Sequence, residues 1–244
     1  MTGAEVLVVA AHIDVLAGKD QESLLRLMSR QHAESIRRNR RAEDRCRRIL
    51  ARLLLAYGLK VLEGWDIYAG LAALRSEPGG KPWLEGSPRP VSLSHAGQWA
   101  VCAIGHEEFC QGIGVDVEQI RKLAVEDFRV VFTPAEQEAV RKNKEPHSEL
   151  IRRWTIKEAI LKARGTGLLG DPLGIDTGDA GVAGRHWEHL PLEHGYWLTV
   201  AGQSPFAPAR LLLPSHTEIF GDTDDQPQRI FRSISSTAPG RSSR

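Results

Sequence analysis

Three cysteines in 244 residues, Cys46, Cys102 and Cys110, are too few for a disulfide framework, and no two form a Cys-x-x-Cys pair. A reducing compartment fits them, and the cytoplasm is the expected setting. No apolar run approaches the ~18 residues of a spanning helix, so no membrane partner is expected. The run Val6 to Ala11 is short, stops at His12 and Asp14, and reads as a strand rather than a signal peptide. Charge of one sign is also lacking: the net charge is +1, which excludes a general polyanion binder and an acidic solvating protein alike. The phosphate-loop spacing is absent as well. Gly79-Gly80-Lys81-Pro82 lacks the Gly-x-x-x-x-Gly-Lys pattern, although it can still offer Lys81 to a phosphate from a constrained loop. His186, His189 and His194 lie close to Glu188 and Glu193, but their spacing matches no zinc motif and Pro191 breaks any helix.

What remains is an ordinary globular composition, 41% hydrophobic and 26% charged, long enough for one large domain or two small lobes. Val6 to Ile13 reads as a strand. A helix is expected from about Ser23 to Tyr57, with Cys46, Ile49, Leu50, Leu53 and Tyr57 as its apolar stripe and Gly58 as its stop. Seven Pro and Gly between Pro78 and Pro90 mark an irregular connection. Val91 to Ile104 reads as a hairpin turning at Ala96-Gly97, and Gln111 to Glu118 as a further strand. Phe132-Thr133-Pro134-Ala135-Glu136 starts a helix, with Thr133 as N-cap, Pro134 in the first turn and Glu136 as capping-box acid. Tyr196 to Val200 and Ala209 to Leu213 are expected strands. From Ser215 the chain turns polar, and most of it is expected to be a disordered tail.

The most informative stretch is Arg153 to Gly167. It places Glu158 and Lys162 one helical turn apart, in one arc with Leu150, Ile151, Trp154 and Leu161. Ala159, Ala163, Ile156 and Ile160 cover much of the other side, which leaves Arg152, Arg153 and Lys157 as its polar strip. A surface Glu–Lys pair would be worth a few tenths of a kcal/mol. In so apolar a helix a carboxylate instead calls for a partner or a metal.

Gly112-Ile113-Gly114-Val115-Asp116-Val117-Glu118 carries the second signal. Residues two apart on a strand share a face, so Asp116 and Glu118 project together while Val115 and Val117 pack inward. The bland alternative is the wet face of an edge strand. Carboxylates held ~4 Å apart at an effective dielectric of ~20 repel by roughly 4 kcal/mol per pair. A divalent cation removes that cost, and all-oxygen ligands suit magnesium. Ser94 and His95 fall at a strand-to-turn junction. Neighbours on a strand point opposite ways, so His95 is poorly placed to activate Ser94, and contact with a phosphate fits better.

Charge is concentrated in one segment. From Arg30 to Arg52 nine Arg face only Glu34, Glu43 and Asp44, a local excess of +6. That run is a solvated face, or a patch for phosphates or an acidic partner.

Taken in order, Gly80-Lys81-Pro82, Ser92-Leu93-Ser94-His95, Gly114-Val115-Asp116-Val117-Glu118, Phe132-Thr133-Pro134-Ala135-Glu136 and Trp154-Thr155-Ile156-Lys157-Glu158-Ala159-Ile160-Leu161-Lys162 resemble the larger, Sfp-like 4′-phosphopantetheinyl transferases. The resemblance covers residues ~30 to 170, is weak beyond Gly170, and does not reach the tail. It implies transfer of the phosphopantetheine arm of coenzyme A to a serine of an apo carrier protein, releasing adenosine 3′,5′-bisphosphate. It also implies an α/β fold of two similar lobes, each a small antiparallel sheet on a long helix, related by a pseudo-twofold axis. The expected division is residues 1–111, 112–214 and a flexible tail, 215–244, in a monomer. By the same resemblance Asp116, Glu118 and Glu158 hold Mg²⁺, Glu158 helps deprotonate the serine, and Lys162 neutralises the diphosphate. Lys81, Ser94 and His95 hold coenzyme A, His95 at its 3′-phosphate, together with Asp116 and Lys162. Arg47 is the expected contact from the Arg run.

Two other functions fit parts of the chain. A Mg²⁺-dependent nuclease or phosphohydrolase would use the same three acids. An Arg-rich nucleic-acid module would use Arg37 to Arg52, but that run lacks stacking aromatics and would leave Glu158 unexplained, so no nucleic-acid partner is expected.

Overall fold

Val6 to Ala10 are completely buried, as a strand with no polar face must be. Leu7 to Ala10 belong to β1 (Leu7–His12), Val6 leads into it, and alternate residues face two different cores. Leu7, Val9 and Ala11 join a cluster built on the long helix α3 (Ala42–Glu63), whereas Val6, Val8 and Ala10 pack against a second sheet. The structure, a computed structural model, describes residues 5–77, 80–107, 112–167, 170–178 and 186–221.

The first sheet runs β4 (Val91–Ala96), β5 (Trp99–Ile104), β1, β9 (Arg210–Leu212). The second runs β6 (Ile113–Gln119), β8 (Tyr196–Gly202), β7 (Trp187–Leu190) and is antiparallel. Its inner face, with Val115, Val117, Leu198 and Val200, meets the first sheet. Its outer face meets α6 (Pro146–Arg164), where Ala159 and Ala163 pack on Ala201. The order of layers is therefore α3, sheet, sheet, α6.

Several expectations change. The long helix from Ser23 is three helices: α1 (Gln21–Leu25), α2 (Arg30–Arg37) and α3. Ser29 accepts the His32 N–H and starts α2 afresh, so a capping side chain overrides continuous helical propensity. Gly58 does not stop α3. It lies inside the helix, where an added Cβ would come within 2.6 Å of Ile104, and the helix ends at Gly64. Within the Pro- and Gly-rich connection, β3 (Pro82–Leu84) pairs with β2 (Leu74–Ser76), the short strand before it; Pro78 and Gly79 lie outside the described residues. The preceding α4 (Ile67–Ala73), capped by Asp66, was not anticipated. The hairpin of β4 and β5 forms as expected, but its turn is one residue later, at Gly97 and Gln98, because Ala96 still pairs with Trp99. The start of the expected strand at Gln111, like Cys110, lies outside the described residues. Cys46 and Cys102 are free thiols.

The C-terminal part departs furthest. β9, expected in the second lobe, joins the first sheet parallel to β1, so that sheet is mixed rather than antiparallel. The expected tail begins with α7 (His216–Phe220), which has a Ser215–Glu218 capping box. Ile219 is 4% exposed and belongs to the α3 core, and His216 Nδ1 lies 2.7 Å from Val15 O. Residues 222–244 lie outside the described residues.

The capping box of α5 (Pro134–Lys142) forms as expected, with Thr133 and Glu136 bonding reciprocally. Glu136 also meets the Lys157 ammonium at 2.9 Å. The polar strip of α6 is thus bonded within the protein. Lys157 is fully buried and donates as well to Val131 O and Pro172 O, while Arg152 and Arg153 both bond Glu149. Burial raises the Glu136 carboxyl, but bonds from Lys157, Thr133 and Thr177 together pull it below its ordinary value. Among the described residues no helix is long and apolar enough to cross a membrane.

Candidate active site

Gly114 sets the site by allowing close approach. A Cβ on it would lie 1.9 Å from the Ala159 carbonyl oxygen, so only glycine lets β6 lie this tightly on α6. That contact brings Asp116 and Glu118, on the α6 face of β6, to Glu158 and Lys162. All four line one cavity of about 450 Å³. Val115 and Val117 point into the core, as the alternation requires.

β4 and β6 are the facing edges of the two sheets. Their seam is closed by hydroxyls in place of a backbone ladder. Ser92 Oγ accepts Val115 N–H at 3.0 Å, and Ser94 Oγ accepts Val117 N–H at 3.4 Å. Ser94 also donates to Asp116 Oδ1 at 2.9 Å and accepts from Lys162 Nζ at 3.0 Å. The Lys162 ammonium completes its bonds with Asp116 Oδ1 at 2.7 Å and Val115 O at 3.1 Å.

The acids are under electrostatic stress. Burial pushes the Asp116 carboxyl up, which Lys162 and Ser94 only partly offset. Glu118 is pushed up to about 7, by burial first and by the Asp116 charge second, although Trp154 Nε1 donates to it at 3.2 Å. Glu158 is raised by the same two causes in the same order. Asp116 Oδ2 and Glu158 Oε1 are buried with no hydrogen-bond partner. Bare carboxylate oxygens in a shared cavity are the donors a hard cation such as Mg²⁺ takes, so the residues fit such an ion. Among the described residues no three such groups converge on one metal position as they stand, and Lys162 bonds Asp116. The histidines near Pro191 form no metal group either: His189 Nδ1 meets Thr199, Glu193 accepts from Trp99, and Glu188 accepts from Ala209.

The opposite wall of the cavity is cationic. Arg48, Arg52 and His95 line it, and the Nε atoms of both arginines are buried without a partner. Burial, then the Arg48 charge, lowers the Arg52 guanidinium to about 10. The His95 imidazole is lowered to about 4 by burial, and after that by Arg48, Arg47 and Lys162. Such a wall is suited to an anion.

Of the residues expected from sequence, Ser94, His95, Asp116, Glu118, Glu158 and Lys162 come together here. Lys81 lines an adjoining space of about 230 Å³ that shares Pro82, Leu93 and Lys162. Its ammonium sits beside Gly165, where the helix dipole of α6 favours a cation. Arg47 is not part of the cavity wall; its side chain bonds Asp44 and Gly97 O. Sequence reading missed Arg48, Arg52 and Trp154 as site residues. The signal for the arginines was present: like charges four apart on a helix repel, and are tolerated where an anion meets them.

Residues 112–201 match the family model of the 4′-phosphopantetheinyl transferase superfamily. A 4′-phosphopantetheinyl transferase of Bacillus subtilis is 26% identical over 157 residues, 63% of this chain and 67% of that protein. Two proteins named L-aminoadipate-semialdehyde dehydrogenase-phosphopantetheinyl transferase are also similar. The one from Saccharomyces cerevisiae is 27% identical over 187 residues, 72% of this chain and 67% of that protein. The one from Schizosaccharomyces pombe is 44% identical over 68 residues, 26% of each chain.

Proposed function

We propose, for a chain that belongs to the 4′-phosphopantetheinyl transferase superfamily, that its cavity moves the phosphopantetheine arm of coenzyme A onto a serine of an apo carrier protein. The observation that carries this reading is the two-ended cavity, acidic on β6 and α6 and cationic at Arg48 and Arg52 of α3, with the neutral His95 imidazole of β4 beside them. A donor with a diphosphate bridge and a separate phosphate monoester needs both ends. Phosphoryl transfer asks chiefly for positioning and for neutralised charge.

In this proposal Arg48, Arg52 and His95 take the 3′-phosphate of the donor. Lys162 leaves Asp116 for the diphosphate, and Lys81 approaches from the adjoining space. Asp116, Glu118 and Glu158 would hold Mg²⁺, whose chemistry there is neutralisation of the diphosphate. Glu158, raised by burial and by Asp116, accepts the proton of the carrier serine. The serine oxygen bonds to the phosphorus beside the pantetheine arm. The bond from that phosphorus to the bridging oxygen breaks, and adenosine 3′,5′-bisphosphate departs.

The same proposal reads the α3 sheet and the α6 sheet as two lobes related by a pseudo-twofold axis, divided near residue 111. It places the enzyme in the cytoplasm as a monomer. The test is incubation with coenzyme A, Mg²⁺ and apo carrier proteins of fatty-acid, polyketide and nonribosomal-peptide origin, read by intact mass. Gain of one phosphopantetheinyl group is expected. Unchanged carriers together with Mg²⁺-dependent cleavage of RNA would overturn it in favour of hydrolysis.

A further inference from the structure

The turn between β4 and β5 is gripped from three sides. Gly97 has φ +54°, and a Cβ there would lie 2.1 Å from the Tyr196 hydroxyl, so no other residue fits. Tyr196 Oη accepts the Gln98 N–H at 3.0 Å from the second sheet. Gln98 O accepts from Ile13 N at 2.8 Å, just past the end of β1. From α3, Arg47 donates one terminal nitrogen to Gly97 O and the other to Asp44. Trp99, which follows, donates its Nε1 to Glu193 at 2.8 Å.

This turn stands two residues from His95. Tyr196 is paired with Gln119 on β6, the strand of Asp116 and Glu118. One turn therefore ties the strand that carries His95 to the strand that carries the acids. Arg47 differs from Arg48 and Arg52 in the way that matters. Both its terminal nitrogens are satisfied within the protein, whereas each of the others keeps a buried Nε without a partner. A guanidinium bound by two fixed oxygens is a strut, because its planar donors are committed in direction.

We propose that Arg47 and Tyr196 are positioning residues for the transfer: acting through Gly97 and Gln98, they fix the spacing between His95 and the acids of β6, and neither touches coenzyme A. This rests on the reading that the cavity takes coenzyme A.

The experiment compares R47K, R47Q and Y196F with R52Q. In the free proteins, amide exchange at Gln98 and Trp99 should quicken in R47K and Y196F, because lysine keeps the charge but cannot span both oxygens. Calorimetry then measures binding of coenzyme A and of 3′-dephospho-coenzyme A. R47K and Y196F should weaken both ligands by the same factor, about three- to tenfold, the scale of one net hydrogen bond. R52Q should weaken coenzyme A selectively. The proposal is overturned if R47K binds both ligands as the parent does while R47Q loses coenzyme A alone, since Arg47 would then meet the phosphate by charge. It is equally overturned if Y196F leaves exchange unchanged. A parent protein that binds neither ligand removes the cavity reading, and the exchange data still decide whether these two residues hold the turn.

Discussion

Lys162 Nζ stands 2.7 Å from Asp116 Oδ1, while the second oxygen of the same carboxylate has no partner. One ammonium thus holds half of a buried acid. The Lys162→Met variant should lose about 3 kcal/mol in urea unfolding with chelator present, the scale of an unpaired buried charge. Excess Mg²⁺ should return part of that loss. A variant insensitive to Mg²⁺ would argue against a cation site at Asp116.

Glu158→Gln removes a strained negative charge from the same cavity. Metal-free stability should hold or rise, since repulsion from Asp116 and the burial cost both ease. Turnover should fall by roughly 10²-fold or more, the scale of a lost proton acceptor. Single-turnover transfer to an apo carrier, beside a melting curve, separates the two effects. Full turnover in a folded variant would remove Glu158 from the chemistry.

Glu118 gives the pH dependence. Its folded carboxyl is raised from 4.5 to about 7, first by burial and second by Asp116. Between those values the folded protein binds more protons than the unfolded chain, so stability falls as pH rises through that window. Glu118→Gln should flatten this part of the curve in metal-free buffer, as denaturation midpoints from pH 4.5 to 7.5 will show.

Lys157 and Glu136 form an ion pair with no exposed side-chain area on the lysine. Lys157→Met strands Glu136 and should cost about 3–5 kcal/mol. Adding Glu136→Gln should cost less than the sum of the single changes, because the stranded charge goes too. A coupling energy near zero would contradict the pairing.

Ile219→Ala should destabilise by about 2 kcal/mol, at the low end for a buried isoleucine because α7 is short. Deletion from Ser215 should cost at least as much. An unchanged melting temperature after deletion would show that α7 adds nothing to the core.

Legibility from sequence followed the range of the cause. Thr133, Pro134 and Glu136 announce α5 because a capping box lies within four residues. Asp116 and Glu118 were readable because strand alternation fixes their common side, and Glu158 with Lys162 because helix periodicity does. Within the Arg run, Arg48 and Arg52 line the cavity and Arg47 does not, since a difference of one residue on a helix turns a side chain by 100°. Gly58 looked like a stop because its tight neighbours, Val9 and Ile104, are remote in sequence. The full burial of Lys157 was not legible for the same reason: its acceptors lie at Val131, Glu136 and Pro172. β9 has only three residues, and nothing local tells it to pair with β1.

That last pairing sets an order of events in time. Leu7 pairs with Arg210, so β1 is synthesised long before the strand that covers its free side. Until then an apolar strand keeps one open edge, the kind of edge that recruits other chains. Closing so large a loop is entropically slow. The first sheet should therefore be the last part of the chain to become native, and a nascent chain stalled before residue 210 should be the species that aggregates.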